Sequence, residues 1–559
     1  MTSVQEINLQ PRPDKKYWTN CHREWREEFI YFLLVDRFHD DRKRKPKKGV
    51  DRQSGFGTKE DLQKICGGTI RGIINHLDYI QDLGCTALWL SPVFENNPES
   101  YHGYAIQNYL EIDKRFGTKE DLEELVDKAH AMDIRVFLDI VLHHSGDNWF
   151  YPEDVPYYYY QGQVFPFGGW RYEDRPLPSE LRNPELYARK GRIRNFEAVP
   201  ETRDGDFSAL KTFALDDSPQ SLWLQEQLIK IHCYWIREVD VDGFRLDAVK
   251  HMSELAVSRF CSSVREYAYS LGKKNFFLFG ELVGPDHLYN NYIGPKTSVS
   301  VDDKTIYYGL NSVLDFPLHH ILPDVILGKT SPGRLIDRYE SLRQTALHRG
   351  EFGEFLVTFL DNHDQVGQSV KHRFGKDANE EQIIAGMGFL LCALGTPCIY
   401  YGTEQGFDGT AEGDWGVREA MFSLNDRTTN ALNTESGIYK GIAQLAALRK
   451  TKRALKFGRM YARPTSTDGI RFHFPECKEC LLAFSRLLFD DEIIIAYNAS
   501  INKTKTEYIQ VESNGCSSYR FLFGGLGTVP VQSIENEQIN YIRLTMLPLQ
   551  FILLEREHC

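Results

Sequence analysis

No apolar run in this 559-residue chain approaches the roughly 20 residues that a membrane-spanning helix requires, so a helical membrane protein is excluded. The opening residues, MTSVQEINLQPRPDKKYW, lack the apolar core that a secretion machinery reads, and the expected location is cytoplasmic. Basic charge is also short. Against 78 aspartates and glutamates stand 66 lysines and arginines, a net charge of −12, whereas a nucleic-acid partner wants a basic face. The basic run RKRKPKK at 42–48 reads as a solvated loop. The eleven cysteines are odd in number and follow no framework spacing, which excludes a disulfide scaffold and suits reduced thiols. Cys477 and Cys480, in CKEC, lack the second pair that a zinc site of this type needs and read as a hairpin loop.

What is present is the composition of a globular protein, 42% hydrophobic and 26% charged, in a chain too long for one ordinary core. Eight short β-rich segments are read at 29–36, 86–93, 134–141, 241–247, 276–282, 309–316, 355–362 and 397–402. Several are separated by amphipathic helical patterns, such as 119–132 and 217–239. Strand–helix alternation repeated eight times predicts an α/β fold, a closed parallel (β/α)8 barrel over residues 1–142 and 216–456. Residues 143–215 break the rhythm as an aromatic-rich insertion after the third strand, too long to lack structure of its own. From 457 to 559 helical patterns vanish and alternating runs replace them, which predicts an all-β sandwich domain.

In such a barrel the loops at the C-terminal strand ends converge on one mouth, and unusual polar residues gather at those positions here. The third strand ends at Asp139 and His144, the fourth at Arg245 and Asp247, the fifth at Glu281, and the seventh runs into His363 and Asp364. Arg245 and Asp247 share a strand face, which taken alone fits either a structural ion pair or a functional one. Three carboxylates on one rim are harder to explain by packing. The 34 residues between Asp247 and Glu281 are about one strand–helix unit, so their strands should be neighbours. Neighbouring strands lie about 4.8 Å apart, which suits the close carboxylate pair of a retaining glycosidase rather than the wider gap of an inverting one. Arg245 should keep Asp247 ionised for nucleophilic attack, and the apolar FFLF run before Glu281 should raise its pKa for general-acid work. Asp364 can stabilise an oxocarbenium-like charge, and His144 and His363 can donate to sugar hydroxyls.

The stretches DIVLHH (139–144), GFRLDAVKH (243–251), FGEL (279–282) and FLDNHD (359–364), in that order, resemble the motifs of glycoside hydrolase family 13, the α-amylase family. HGYAIQNYLEIDKRFGT (102–118) and GTPCIYYGTEQ (395–405) support the likeness, which spans nearly the whole chain. The resemblance implies Asp247 as nucleophile, Glu281 as acid/base and Asp364 as transition-state stabiliser. It also implies Tyr104, His144, Arg245 and His363 around the reacting sugar, with Lys250 and His251 on the leaving-group side. The substrate it implies is a starch- or glycogen-type α-1,4-glucan or a maltooligosaccharide.

Four features bear on that reading. Ala105 stands where members that grip a terminal glucose carry aspartate, which favours internal attack. NHDQVG (362–367) resembles branching and trehalose-releasing members, whereas VKH pulls back towards amylases. His143 replaces the asparagine that ligates a structural calcium in the family's amylases, and imidazole suits calcium poorly because that ion prefers oxygen. The loop after the first strand is basic where acidic calcium ligands are common, although Asp36, Asp40 and Asp41 remain. No metal or other cofactor is required for the chemistry. The rival readings are a transglycosylase with the same residues and a catalytically silent glycan-binding protein. Oligomeric state stays open.

Overall fold

The computed structural model describes residues 1–559 except 43–44, 47–54, 155, 160–161, 300–303, 346–355, 366–371, 410–412, 426–428, 513–514, 535–538 and 558–559. Eight parallel strands close a barrel: β1 (Ile30–Leu33), β2 (Ala87–Leu90), β3 (Arg135–Ile140), β4 (Gly243–Leu246), β5 (Phe277–Gly280), β6 (Ser312–Leu314), β7 (Leu356–Phe359) and β8 (Thr396–Tyr400). Each pairs with its neighbours in chain order, and β8 returns to β1. The sixth segment proves the shortest, at three residues. Strands β1 to β5 are buried at every position, which their continuous apolar character requires of a sheet covered on both faces.

Local signals in the sequence set the helices. Thr118 caps the helix Lys119–Ala131 through a reciprocal box with Asp121, and Ser218 followed by proline starts Pro219–Val239. Asp240, in the left-handed region at φ 60°, stops the second helix and turns the chain into β4. Gly243 opens β4 because a Cβ there would sit 2.1 Å from the Phe277 carbonyl oxygen on β5. The register that follows, Gly243 opposite Phe277 and Leu246 opposite Gly280, carries Asp247 and Glu281 to adjacent positions just beyond the strands.

After the last barrel-side helices, nine antiparallel strands between Arg459 and Arg556 form one continuous sheet. Ile494, Ala496 and Leu554 from one half pack with Ile509, Ile542 and Leu544 from the other, so the sheet curls around its own core. The sandwich expected from alternation is therefore a single curled sheet. The insertion carries short strand pairs, His144–Ser145 with Lys211–Thr212 and Trp149–Phe150 with Gly169–Trp170. Of the basic run 42–48, Lys45–Pro46 pair with Thr429–Asn430, and 43–44 and 47–48 lie outside the described residues. Cys477 and Cys480 sit in a turn closed by the Cys480 N–H donating to the Cys477 carbonyl. The ten described cysteines are free thiols, and no described helix is long and apolar enough to cross a membrane.

Candidate active site

The C-terminal ends of β3, β4 and β5 bring three carboxylates onto one guanidinium. Arg245, fully buried on β4, faces Asp139 across the β3–β4 register and bonds both its oxygens, at 2.9 and 3.1 Å. The same Nη1 donates to Asp247 Oδ1 at 2.7 Å, and Nη2 lies 3.0 Å from Glu281 Oε2. The ladder persists beyond the strands: the Asp247 N–H donates to Ile140, and the Glu281 N–H to Leu246. Ala248 then adopts a left-handed conformation at φ 52°, costly for a residue with a Cβ, and aims its N–H at Glu281 Oε2, 3.2 Å away. One chain reversal thus places both carboxyls.

Asp139, not assigned a role from sequence, also accepts from Tyr104 Oη at 2.8 Å and Trp89 Nε1 at 3.2 Å. It orients Arg245 and Tyr104 together. The Tyr104 oxygen in turn lies 2.9 Å from His363 Nε2, which is 3.2 Å from Asp364 Oδ2. Asp364 is bound on its other oxygen by Arg418, whose Nε donates to the His363 carbonyl at 2.9 Å.

Charge separates the four carboxyls. Burial pushes Glu281 up to about 7; Arg245 opposes this, while Asp247 and Asp364 add to it. Asp247 is pushed to about 6 by burial, which outweighs the arginine expected to hold it down. Asp139 likewise rises to about 6 through burial. For Asp364 burial also works upward, but His363, Arg418 and Arg245 together hold it well below the usual carboxylate range. Burial holds His144 and His363 near 3 and His251 near 4, so all three imidazoles are neutral at neutral pH.

These groups open into a cleft of about 600 Å³. Tyr104, His144, Asp247, Lys250, His251, Glu281 and Asp364 line it, whereas Arg245 and His363 lie beneath its wall, bonded to residues that do. His144 Nε2 is buried with no partner in the protein, a polar atom left for a ligand hydroxyl. Lys250 Nζ, towards one side, pairs with Glu197 at 2.5 Å. Sequence reasoning missed His102, Phe196, Phe207 and Arg418. His102 sits in the HGY stretch, but the two phenylalanines and Arg418 carry no motif. In the aromatic stretch 149–172, Trp149 packs on Phe167 and Phe167 on Trp170 as the insertion's own core. The aromatic wall comes instead from Phe196 and Phe207, with ring centroids 5.6 Å apart.

The sequence profile described as Alpha amylase, catalytic domain, matches residues 32–430. The chain belongs to the alpha-amylase family. It is 28% identical to an alpha-amylase of Streptomyces lividans over 88% of its own length and 56% of that protein's. It is 29% identical to a cyclomaltodextrin glucanotransferase of Klebsiella oxytoca over 89% of its length and 73% of the relative's. The chain thus spans between about half and three quarters of these relatives. Among solved structures, an alpha-amylase from Geobacillus thermoleovorans complexed with acarbose superposes with a TM-score of 0.70, covering 96% of this chain and 100% of that one at 24% identity, which bears on the fold alone.

Proposed function

We propose that this protein is a retaining glycosidase that cleaves α-1,4 bonds of starch- or glycogen-type glucans or maltooligosaccharides. The observation that carries the reading is the placement of Asp247 and Glu281 at adjacent register positions on one guanidinium, with burial lifting Glu281 above Asp247. Asp247 attacks the anomeric carbon while Glu281 gives its proton to the departing glycosidic oxygen. The first displacement inverts the anomeric centre and leaves a β-linked glycosyl ester on Asp247. Glu281, now ionised, takes a proton from water, whose oxygen displaces Asp247 and restores the α configuration. Asp364, kept anionic by Arg418, stabilises the positive charge that builds on the ring in both steps. No metal enters this chemistry.

A second reading, transfer to a sugar instead of water, is favoured by one feature. Beside Lys250 and His251 the cleft is lined by Phe196, Phe207, Leu210 and Val283, an apolar surface that suits a sugar face better than a lone water. Incubation with soluble starch and with maltoheptaose, products resolved over time, separates the two. Short maltooligosaccharides from the wild type and none from Asp247→Asn support hydrolysis. Products longer than maltoheptaose favour transfer, and equal turnover by Asp247→Asn overturns the nucleophile. No product from either glucan would refute the reading.

A further inference from the structure

The likeness to amylases carries an expectation of calcium where the insertion meets the barrel, and the donors at that junction do not fit it. Calcium takes six to eight oxygen ligands. His143, at the position of the expected asparagine, is fully buried and presents two nitrogens. Its Nε2 lies 3.2 Å from the Arg203 carbonyl oxygen, and its Nδ1 lies 3.3 Å from His144 Nδ1. His251 Nδ1 lies 2.6 Å from the Thr202 carbonyl oxygen. The two carbonyls belong to the short helix Glu201–Asp204 of the insertion, whereas His143 stands at the seam, three residues past β3, and His251 follows β4 on the barrel. Oxygen donors that a hard cation could gather are thus met by imidazole N–H groups.

The carboxylates of the insertion have a cation of their own. Lys211, 1% exposed, places Nζ 3.1 Å from Asp147 Oδ1 and over the rings of Trp149 and Tyr151, at 5.1 and 5.6 Å. Asp206, also buried, accepts from the Thr212 N–H at 3.0 Å and Tyr151 Oη at 2.7 Å; burial lifts its carboxyl to about 6, and Lys211 opposes that rise. Lys211–Thr212 pair with His144–Ser145, so this ammonium is tied directly to the strand that carries the cleft histidine. Asp36, the nearest acidic residue to the end of β1, is already bonded by the N–H groups of Cys66 and Gly67 and paired with Arg37. Among the described residues no group of three or more histidines, cysteines, aspartates or glutamates could hold a metal ion.

We propose that this chain joins its insertion to the barrel without a metal ion, with His143 and His251 as hydrogen-bond donors across the junction and the Lys211 ammonium as the cation that balances the buried carboxylates inside the insertion. The test reads stability, so it stands whether or not the proposed glucanase activity does. The full-length protein is stripped with excess EGTA and melted at a fixed scan rate, with and without millimolar calcium chloride. The midpoints are expected to agree within about 1 °C, since a ligand that does not bind the native state cannot raise it. A midpoint that falls several degrees on chelation and returns with calcium overturns the proposal. So does saturable one-to-one binding when the stripped protein is titrated with calcium alone in a calorimeter. Lys211→Met is expected to lower the midpoint by the same several degrees in EGTA and in calcium, and Lys211→Arg to keep most of it. A Lys211→Met protein that melts like wild type refutes the role given to the ammonium. Should that variant not fold, the chelation result on wild type still decides.

Discussion

The pH dependence of the first chemical step is where the electrostatics of this site can be checked most directly. The productive state needs Asp247 ionised and Glu281 protonated, so kcat/KM on a maltooligosaccharide should rise as pH climbs through about 6 and fall through about 7. The sign follows from the roles: below the first value the nucleophile carries a proton, and above the second the acid has lost its own. With those two values the productive fraction peaks near pH 6.5, and 1.5 pH units to either side it drops roughly sevenfold. The assay is initial rate against pH at substrate well below KM. α-Glucosyl fluoride makes the assignment specific, because fluoride departs without a proton and the first displacement then needs only Asp247. The alkaline fall should vanish with the fluoride while the acid limb stays. An alkaline limb retained with the fluoride, or a maltooligosaccharide profile still rising at pH 8, would refute the assignment of Glu281 as the acid.

Other expectations rest on single contacts. Gly243→Ala should push β4 off β5, since its Cβ would meet the Phe277 carbonyl at 2.1 Å, and the displaced Asp247–Glu281 pair should cost roughly 100-fold in kcat. Circular dichroism beside the rate measurement separates misplacement from unfolding. Arg373→Leu strands Glu419, with which Arg373 forms a fully buried 2.9 Å ion pair, and should cost about 3–5 kcal/mol, read in urea unfolding. Phe196→Ala removes a half-exposed ring from the leaving-group side; loss of about 0.5–1.5 kcal/mol of ring contact should raise KM for maltoheptaose a few-fold to tenfold and leave kcat nearly alone.

The barrel was legible because each strand is buried on both faces, which calls for mostly apolar runs in place of alternation. Even the weak segment around Ser312–Leu314 was placed by the rhythm of its neighbours. The carboxylates were legible for the opposite reason, as polar residues where apolar ones were due. Arg418 and Phe196 escaped notice because their partners are distant in sequence: Arg418 meets Asp364 across 54 positions, and Phe196 meets Phe207 and His251 only once the insertion folds back. The aromatic stretch 149–172 left a cleft wall and a small core equally open, because tyrosine and tryptophan serve a small core as readily as a sugar wall, and composition alone does not choose. Curling of the C-terminal sheet was equally hidden, since alternation reports which residues face inward and not whether one sheet or two supplies them.

Arg245 also explains why burial wins over pairing at Asp247. One guanidinium faces Asp139, Asp247 and Glu281, three potential negative charges in a space that water scarcely reaches. Its single positive charge cannot satisfy all of them, so protonation of one carboxyl is the cheaper state, and the one held most weakly takes the proton. Asp139 is held by Tyr104 and Trp89 as well as the arginine, and Asp247 by the shorter arginine bond. Glu281 has only the weaker contact and one backbone N–H. Asp364 is kept out of this competition by a cation of its own, Arg418, and stays charged. The difference in role between chemically similar side chains therefore comes from counting cations, two for four carboxylates, and from where each cation points. A lysine at 245 would keep the count and lose the pointing, because a single ammonium lacks the planar fork that spans three partners at once.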